Sequence, residues 1–374
     1  MIYLDNSSTT FKKPLQVKLS QMLSITKYSL NPNRVGYLRA LKLSEKIFNC
    51  RELLANTINT TPDQIIFTSG CTMALNLGIF GTLRKNGHII TTIFEHNSVL
   101  RALEKSKELY NITYTTLEPN KNGQILPSDI AKNIKPNTYM VIINHTSNVT
   151  GATQNIESIG RLCKKHNLIF MCDTAQSMGH EKIDMQKMNI NMLAIAGHKG
   201  LYSPTGVGVL AINNVKVKPL LYGGTGTFSE SIKQPQDYPD GLESGTHNVP
   251  GILGLYSGLK FVIRNSEKIN KKITSLTTYL VEEMNKIKNV EIYNHSKKSG
   301  VVSFTIKDID STEVSNILDN EYHIATRSGL HCAPLVHKYY KTLKNGMTRV
   351  SLSYFNSKHD INKFLIALKK IALS

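Results

Sequence analysis

Leu168-Ile169-Phe170-Met171-Cys172-Asp173-Thr174-Ala175-Gln176 and Met192-Leu193-Ala194-Ile195-Ala196-Gly197-His198-Lys199 are two apolar runs that each end abruptly in polar groups. An apolar run without polar alternation reads as a strand buried on both faces. Working outward, β-rich runs recur at Gln64–Thr68, His88–Ile93, Ile112–Leu117, Tyr139–Ile143 and Val207–Ile212. Between them, Thr72–Leu83, Ser98–Leu109 and Ile156–His166 carry amphipathic, helix-like patterns. Strands alternating with helices predict an α/β fold with a mostly parallel sheet covered on both faces.

The rest of the chain is organised around that unit. Tyr222–Gly245 is rich in Gly, Pro, Ser and Asp and reads as a long surface excursion. Pro250 to about Ile287 is expected to be a long helix or helix pair. Val301–Ile306, Thr312–Leu318, Thr348–Tyr354 and Asp360–Leu373 then suggest a smaller α+β unit.

Ligands of open parallel sheets bind beyond the carboxyl ends of the strands. The residues there are Ser69-Gly70-Cys71-Thr72, Glu95-His96-Asn97, Asn144-His145-Thr146-Ser147-Asn148, Asp173-Thr174-Ala175-Gln176 and Gly197-His198-Lys199. A carboxylate at Asp173 suits a protonated ring nitrogen, although Asp is also a common turn residue after a strand. A lysine placed like Lys199 becomes a nucleophile when burial lowers its pKa. The glycine turn before Cys71 and Thr72 enters a helix, whose free N–H groups suit a phosphate. His96 fits either a ring-stacking role or a plain helix cap.

Bulk properties narrow the class. The chain has 374 residues, 40% hydrophobic and 19% charged, the profile of an ordinary globular protein. No apolar run reaches the roughly 18–20 residues of a bilayer span. Met1-Ile2-Tyr3-Leu4-Asp5-Asn6 has no basic start or long apolar core, so a cytoplasmic protein is expected. Cys50, Cys71, Cys163, Cys172 and Cys332 are scattered without a Cys-x-x-Cys pair, which argues against a disulfide framework or a zinc ribbon. The net charge of +18 is spread along the chain, which favours anionic substrates or acidic partners over a dedicated nucleic-acid surface.

Together these residues resemble the class V, fold-type I pyridoxal-phosphate enzymes, and within them the cysteine desulfurases. The resemblance runs over nearly the whole chain. It is carried by Tyr3-Leu4-Asp5-Asn6-Ser7-Ser8-Thr9-Thr10, Phe67-Thr68-Ser69-Gly70-Cys71-Thr72, Glu95-His96-Asn97-Ser98, His145-Thr146-Ser147-Asn148-Val149-Thr150-Gly151, Asp173-Thr174-Ala175-Gln176 and Gly197-His198-Lys199. It implies a seven-stranded sheet in a large cofactor-binding domain, residues 14–255, with residues 1–13 and 256–374 forming a smaller α+β domain.

By that resemblance, Lys199 carries pyridoxal 5'-phosphate as an imine and Asp173 pairs with its pyridine nitrogen. Gln176 contacts the ring hydroxyl, His96 stacks on the ring and helps to move protons, and Asn148 lies near ring and substrate. Cys71, Thr72 and His198 seat the phosphate, with Thr246 reaching in from the second subunit of a homodimer.

The C-terminal part narrows the reaction. Arg349 matches the family arginine that clamps the substrate carboxylate, and its planar fork suits that task. Arg327-Ser328-Gly329-Leu330-His331-Cys332-Ala333-Pro334 resembles the cysteine-bearing motif of the group II desulfurases, with Arg327 beside the substrate. Cys332 would be the nucleophile, its thiolate favoured by Arg327 and His331. An inert buried thiol is the alternative reading.

The implied reaction converts L-cysteine to L-alanine, leaving sulfane sulfur on Cys332 for an acceptor protein. Selenocysteine lyases and other class V aminotransferases or lyases are the nearest alternatives. A sulfur carrier or nucleic-acid-binding protein on an inactive scaffold is the alternative outside enzymes. Leu330, Met73, Cys71 and Asn31-Pro32-Asn33-Arg34 depart from the group II pattern.

Overall fold

The computed structural model describes residues 1–32 and 37–373, so Asn33 and Arg34 lie outside the described residues. In chain order, β1 is Ile2–Tyr3, α1 is Leu15–Thr26 and α2 is Leu38–Ile58. The central part runs β2 (Ile65–Thr68), α3 (Cys71–Gly81), β3 (His88–Thr92), α4 (Asn97–Tyr110), β4 (Thr113–Leu117) and α5 (Pro127–Lys132). It continues with β5 (Thr138–Asn144), α6 (Ile156–Lys165), β6 (Ile169–Asp173), β7 (Met192–Ala196) and β8 (Gly208–Ile212). After the excursion come α7 (Val249–Met284), β9 (Val290–Tyr293), β10 (Val301–Ile306), α8 (Ser311–Tyr322) and β11 (Ile324–Ala325). The chain closes with α9 (Pro334–Tyr339), β12 (Thr348–Ser351) and α10 (Lys358–Leu373).

The seven expected strands form one sheet in the order β2-β8-β7-β6-β5-β3-β4. β8 pairs antiparallel with both β2 and β7, whereas the other pairs are parallel. Six strands therefore point the same way. Every residue of β7 and β8 is buried, as a two-faced sheet requires. One face packs under α2, α6 and the start of α7. The other packs under α3 and α4.

Helix ends follow from local chemistry. His96 caps α4 by accepting the Ser98 N–H, and Asn155 caps α6 by accepting that of Ser158. Asn111 closes α4 in the left-handed region at φ 49°, which Asn tolerates better than most residues. At the start of β8 the backbone passes close to the α3 turn. A Cβ on Gly208 would lie 2.5 Å from the Gly70 carbonyl carbon, so only glycine fits.

α7 is one continuous helix rather than a pair. Its apolar residues as far as Ile273 join the main core, and Leu276, Leu280 and Met284 join a separate core with α8 and α10. That second core covers a three-stranded antiparallel sheet ordered β12-β10-β9. The N-terminus belongs beside it: β1 pairs with β11, Leu4 is buried there, and Asp5 bridges to Ser351. Residues from the extreme N-terminus are thus carried to the carboxyl ends of the large sheet. No described helix is long and apolar enough to cross a membrane.

Candidate active site

Because six strands share one direction, their carboxyl ends deliver side chains to a single rim. A cavity of about 360 Å³ lies there, with Ser69, Thr72, His96, Asp173, Lys199 and Arg349 among its lining residues. Asn148, Gln176, His198, Cys71 and Arg327 also line it. A larger cavity of about 720 Å³ opens at the opposite end of the sheet, lined by Arg84, Lys164, Lys216 and several asparagines. Its described lining holds no carboxylate or histidine, whereas the smaller cavity gathers Asp173, His96 and Lys199.

Lys199 is half-buried at the end of the β7 turn, and desolvation lowers its pKa against the opposing pull of Cys71 and Asp173. The turn is braced from below. The carbonyl of His198 accepts from the Thr10 N–H (3.2 Å), the Thr9 and Thr10 hydroxyls (3.3 and 3.1 Å) and Lys13 Nζ (3.1 Å). His198 Nδ1 is buried without a protein partner.

Asp173 ends β6, and burial raises its pKa while the Ala175 N–H opposes that shift. Oδ1 accepts from the Ala175 N–H at 2.8 Å and from the Cys71 thiol at 3.6 Å. Among the described residues no hydrogen bond engages Oδ2. Cys71 is held as a thiol, its pKa pushed well up by burial and then by Asp173. Its sulfur therefore turns to Asp173, leaving its backbone N–H at the mouth of α3. That helix has no side-chain cap, so its first N–H groups face the cavity beside Thr72.

His96 is neutral. Its Nδ1 accepts the Ser98 N–H (3.1 Å) and hydroxyl (2.7 Å), which places the ring proton on Nε2. Burial, then Lys199 and the arginines, push its pKa down to about 4. Gln176 donates through Nε2 to the Ser7 carbonyl at 3.0 Å, leaving its side-chain oxygen as an acceptor. Asn148 donates to the His331 carbonyl at 2.7 Å, and its Oδ1 is buried without a partner.

Arg349 is 1% exposed. Nη2 donates to Asp5 Oδ1 (2.7 Å) and Ser8 Oγ (3.1 Å), and Nη1 donates to the Asn148 carbonyl (3.0 Å). Nε is buried without a partner among the described residues. Arg327 donates through Nη1 to Ser8 Oγ (3.0 Å) and through Nη2 to Cys332 Sγ (3.4 Å). Cys332 is partly exposed and stands beside Arg327, though not itself on the cavity wall. Its loop is bent through left-handed backbone at Gly329 (φ 91°), His331 (φ 51°) and Cys332 (φ 57°). The Asn97 N–H holds the Cys332 carbonyl at 2.7 Å, pinning that loop to the start of α4.

One expectation changes. His331 cannot act as a cation beside the thiol, because burial and then Arg349 hold its pKa well below the usual histidine value. Its ring stacks on His337 and bonds the Arg327 carbonyl through Nε2 at 3.2 Å, so it braces the loop. Thr246, expected to reach in from a second subunit, is exposed and lines a separate cavity of about 270 Å³ with Gly245 and Leu221 rather than the cavity of Lys199.

Two residues were not anticipated as site components. Asp5 and Ser8 had only their place in an N-terminal motif as a signal. Glu95, at the end of β3, accepts from Thr92 Oγ1 (2.8 Å) and the Asn144 N–H (2.9 Å), tying two strand ends together. Burial pushes its pKa up to about 8.

Comparison with known proteins agrees along the whole length. The family model described as aminotransferase class-V matches residues 2–364. A probable cysteine desulfurase from Borreliella burgdorferi is 34% identical, covering 99% of this chain and 92% of the relative. One from Pyrococcus abyssi is 32% identical, covering 100% and 95%. Among solved structures, the apo cysteine desulfurase from Thermococcus onnurineus NA1 superimposes with a TM-score of 0.92 at 30% identity, covering 100% of this chain and 94% of that one. The cysteine desulfurase CsdA from Escherichia coli gives 0.88 at 25% identity, covering 99% and 94%.

Proposed function

This chain belongs to the aminotransferase class-V family, among its cysteine desulfurases, and from that premise we propose that it moves sulfur from L-cysteine to Cys332 and releases L-alanine. The observation that carries the reading is the Arg327 guanidinium, which lines the cavity of Lys199 and Asp173 and also donates to Cys332 Sγ. One contact joins a nucleophilic thiol to the site.

The family implies pyridoxal 5'-phosphate, and the donor set fits it. Lys199 is the amine that would attach it, and the unengaged Asp173 Oδ2 would take its pyridine N–H. The Gln176 side-chain oxygen would accept from its ring hydroxyl, and His96 would lie against the ring. The uncapped start of α3 with Thr72, the Cys71 N–H and the orphaned His198 Nδ1 would hold its phosphate. Bound there, the cofactor supplies an electron sink next to the substrate α-carbon.

The chain's own groups do the rest. Arg349 keeps its Nε–H uncommitted among the described residues, and its guanidinium would orient the substrate carboxylate. Lys199 would take and return the proton at Cα, with the neutral His96 Nε2 as the second proton site. The Cys332 thiolate attacks the substrate sulfur, forming an S–S bond. The substrate C–S bond breaks with its electron pair left on carbon, and a proton there completes alanine. The product on the enzyme is a persulfide, which an acceptor protein would collect.

We further propose a homodimer. The exposure of Thr246, and of Leu15, Met22, Leu38, Leu41 and Phe48 on α1 and α2, supports a second copy covering this side and lending Thr246 to the phosphate site. Residues 14–255, and residues 1–13 with 256–374, are proposed as the two domains of each subunit.

The test is alanine formation from cysteine and from selenocysteine, side by side, with persulfide mapped by mass spectrometry. The wild type should form alanine and a persulfide on Cys332. Lys199→Ala should do neither and lose the visible cofactor band. Cys332→Ala should keep the band and form no alanine from cysteine; full cysteine turnover in that variant would contradict the proposal.

A further inference from the structure

Arg327 and Arg349 face each other across a backbone bridge, with Arg327 N–H to Arg349 O at 3.2 Å and the reciprocal bond at 2.7 Å. Like charges placed directly opposite repel. Here both guanidinium groups reach the same atom, Ser8 Oγ, at 3.0 and 3.1 Å. A guanidinium can only donate, so the Ser8 oxygen must accept twice. Its single proton is then committed to Asp5 Oδ1, at 2.9 Å. The hydroxyl is saturated and its orientation fixed. Asp5 in turn accepts from Arg349 at 2.7 Å, closing a ring of contacts around the two cations.

We propose that Ser8 is a positioning residue for the transfer of sulfur to Cys332, holding Arg327 so that Nη2 stays on the thiol. The inference rests on the reading of Cys332 as nucleophile and Arg349 as carboxylate clamp. Arg327 has one anchor on each arm, Ser8 on Nη1 and Cys332 on Nη2. Without the hydroxyl, Nη1 loses its acceptor while repulsion from Arg349 remains, and the side chain swings away from the sulfur. The thiolate is the reactive form of a cysteine, and a guanidinium N–H is a donor from which it can accept. Lys199, Tyr3 and the neutral His96 and His331 also face this cluster of Asp5, Arg327, Arg349 and Cys332, and Ser8 is the hydroxyl through which the two arginines are joined.

The test compares Ser8→Ala with the pair Ser8→Thr and Ser8→Val, which have the same shape and differ in the hydroxyl. Holoenzyme is treated with iodoacetamide at fixed pH, and alkylation of Cys332 is followed by peptide mass spectrometry beside steady-state kinetics. Ser8→Ala and Ser8→Val should slow Cys332 alkylation several-fold and lower kcat more than they change KM, with the cofactor band intact. Ser8→Thr should keep both near wild type. Unchanged alkylation in Ser8→Ala and Ser8→Val would overturn the inference, as would a rise in KM alone, which would place Ser8 on the carboxylate clamp. Failure of the wild type to form persulfide on Cys332 would instead overturn the underlying reading.

Discussion

The Cys71 thiol donates to Asp173 Oδ1 across 3.6 Å, at the carboxylate proposed to face the cofactor nitrogen. A sulfhydryl is a weak donor, so the bond trims the cost of burying an ionised Asp173 without competing for Oδ2. Cys71→Ala should weaken that ionisation by about 1 kcal/mol and slow turnover roughly fivefold. Cys71→Ser should retain most of the rate. Steady-state kinetics with the pH dependence of the cofactor band checks this; an unchanged band and rate in Cys71→Ala would remove Cys71 from the account.

Arg349 should act on substrate affinity. Arg349→Lys keeps a cation opposite Asp5 but removes the planar fork. Losing a charge-assisted pair costs roughly 1.5–3 kcal/mol, or about 10–100-fold in KM for cysteine. Equal loss in KM and in cofactor content would point to a structural role instead.

Glu95 gives a pH signature of stability. In the unfolded chain it ionises near pH 4.3, but burial holds its folded pKa up at about 8. Between those values the folded state keeps a proton that the unfolded chain has released, so stability falls as pH rises through this window and levels off above it. Glu95→Gln stays neutral and should flatten that slope. Denaturant midpoints at pH 5.5 and 8 test it, and an equal shift at both pH values would contradict it.

The segment bearing Thr246 is anchored by a buried ion cluster. Glu243 accepts from both Arg51 nitrogens and from His247 Nε2 (2.8 Å) and also caps the Phe67 N–H. Burial pushes the Glu243 carboxyl up, but His247 and Arg51 outweigh it and hold it below the usual range. This contribution is present above the unfolded pKa near 4.3 and is lost as pH falls through the lower folded value. Glu243→Ala strands Arg51 in the core and should cost about 3–5 kcal/mol. Thermal unfolding measures it.

Much of the sheet was legible because a buried strand leaves a local mark. Met192–Ala196 forms as expected, and the other six strands begin and end within one residue of their apolar runs. Asp173, Lys199 and His96 were readable for the same reason, since each follows such a run. α2 was not anticipated: its buried Leu43, Ile47, Leu54 and Ile58 alternate with lysines and a cluster of exposed apolar groups, which blurs its periodicity.

Residue charge at the site was harder to read than residue position. Beside a cysteine, His331 looks like a cation, but its neutrality follows from burial and an arginine 18 positions away in the chain (349 − 331 = 18). Ser8 meets Arg349 across 341 residues, and no local pattern records a contact of that range.

On the proposed function, sulfur leaves cysteine onto Cys332 as one event with alanine release. A single turnover of holoenzyme with isotopically labelled cysteine, quenched and read by peptide mass spectrometry, tests it directly. One labelled sulfur on the Cys332 peptide is expected for each alanine formed. Alanine released with the label as free sulfide, or bound to any other cysteine, while Cys332 stays unmodified would contradict it.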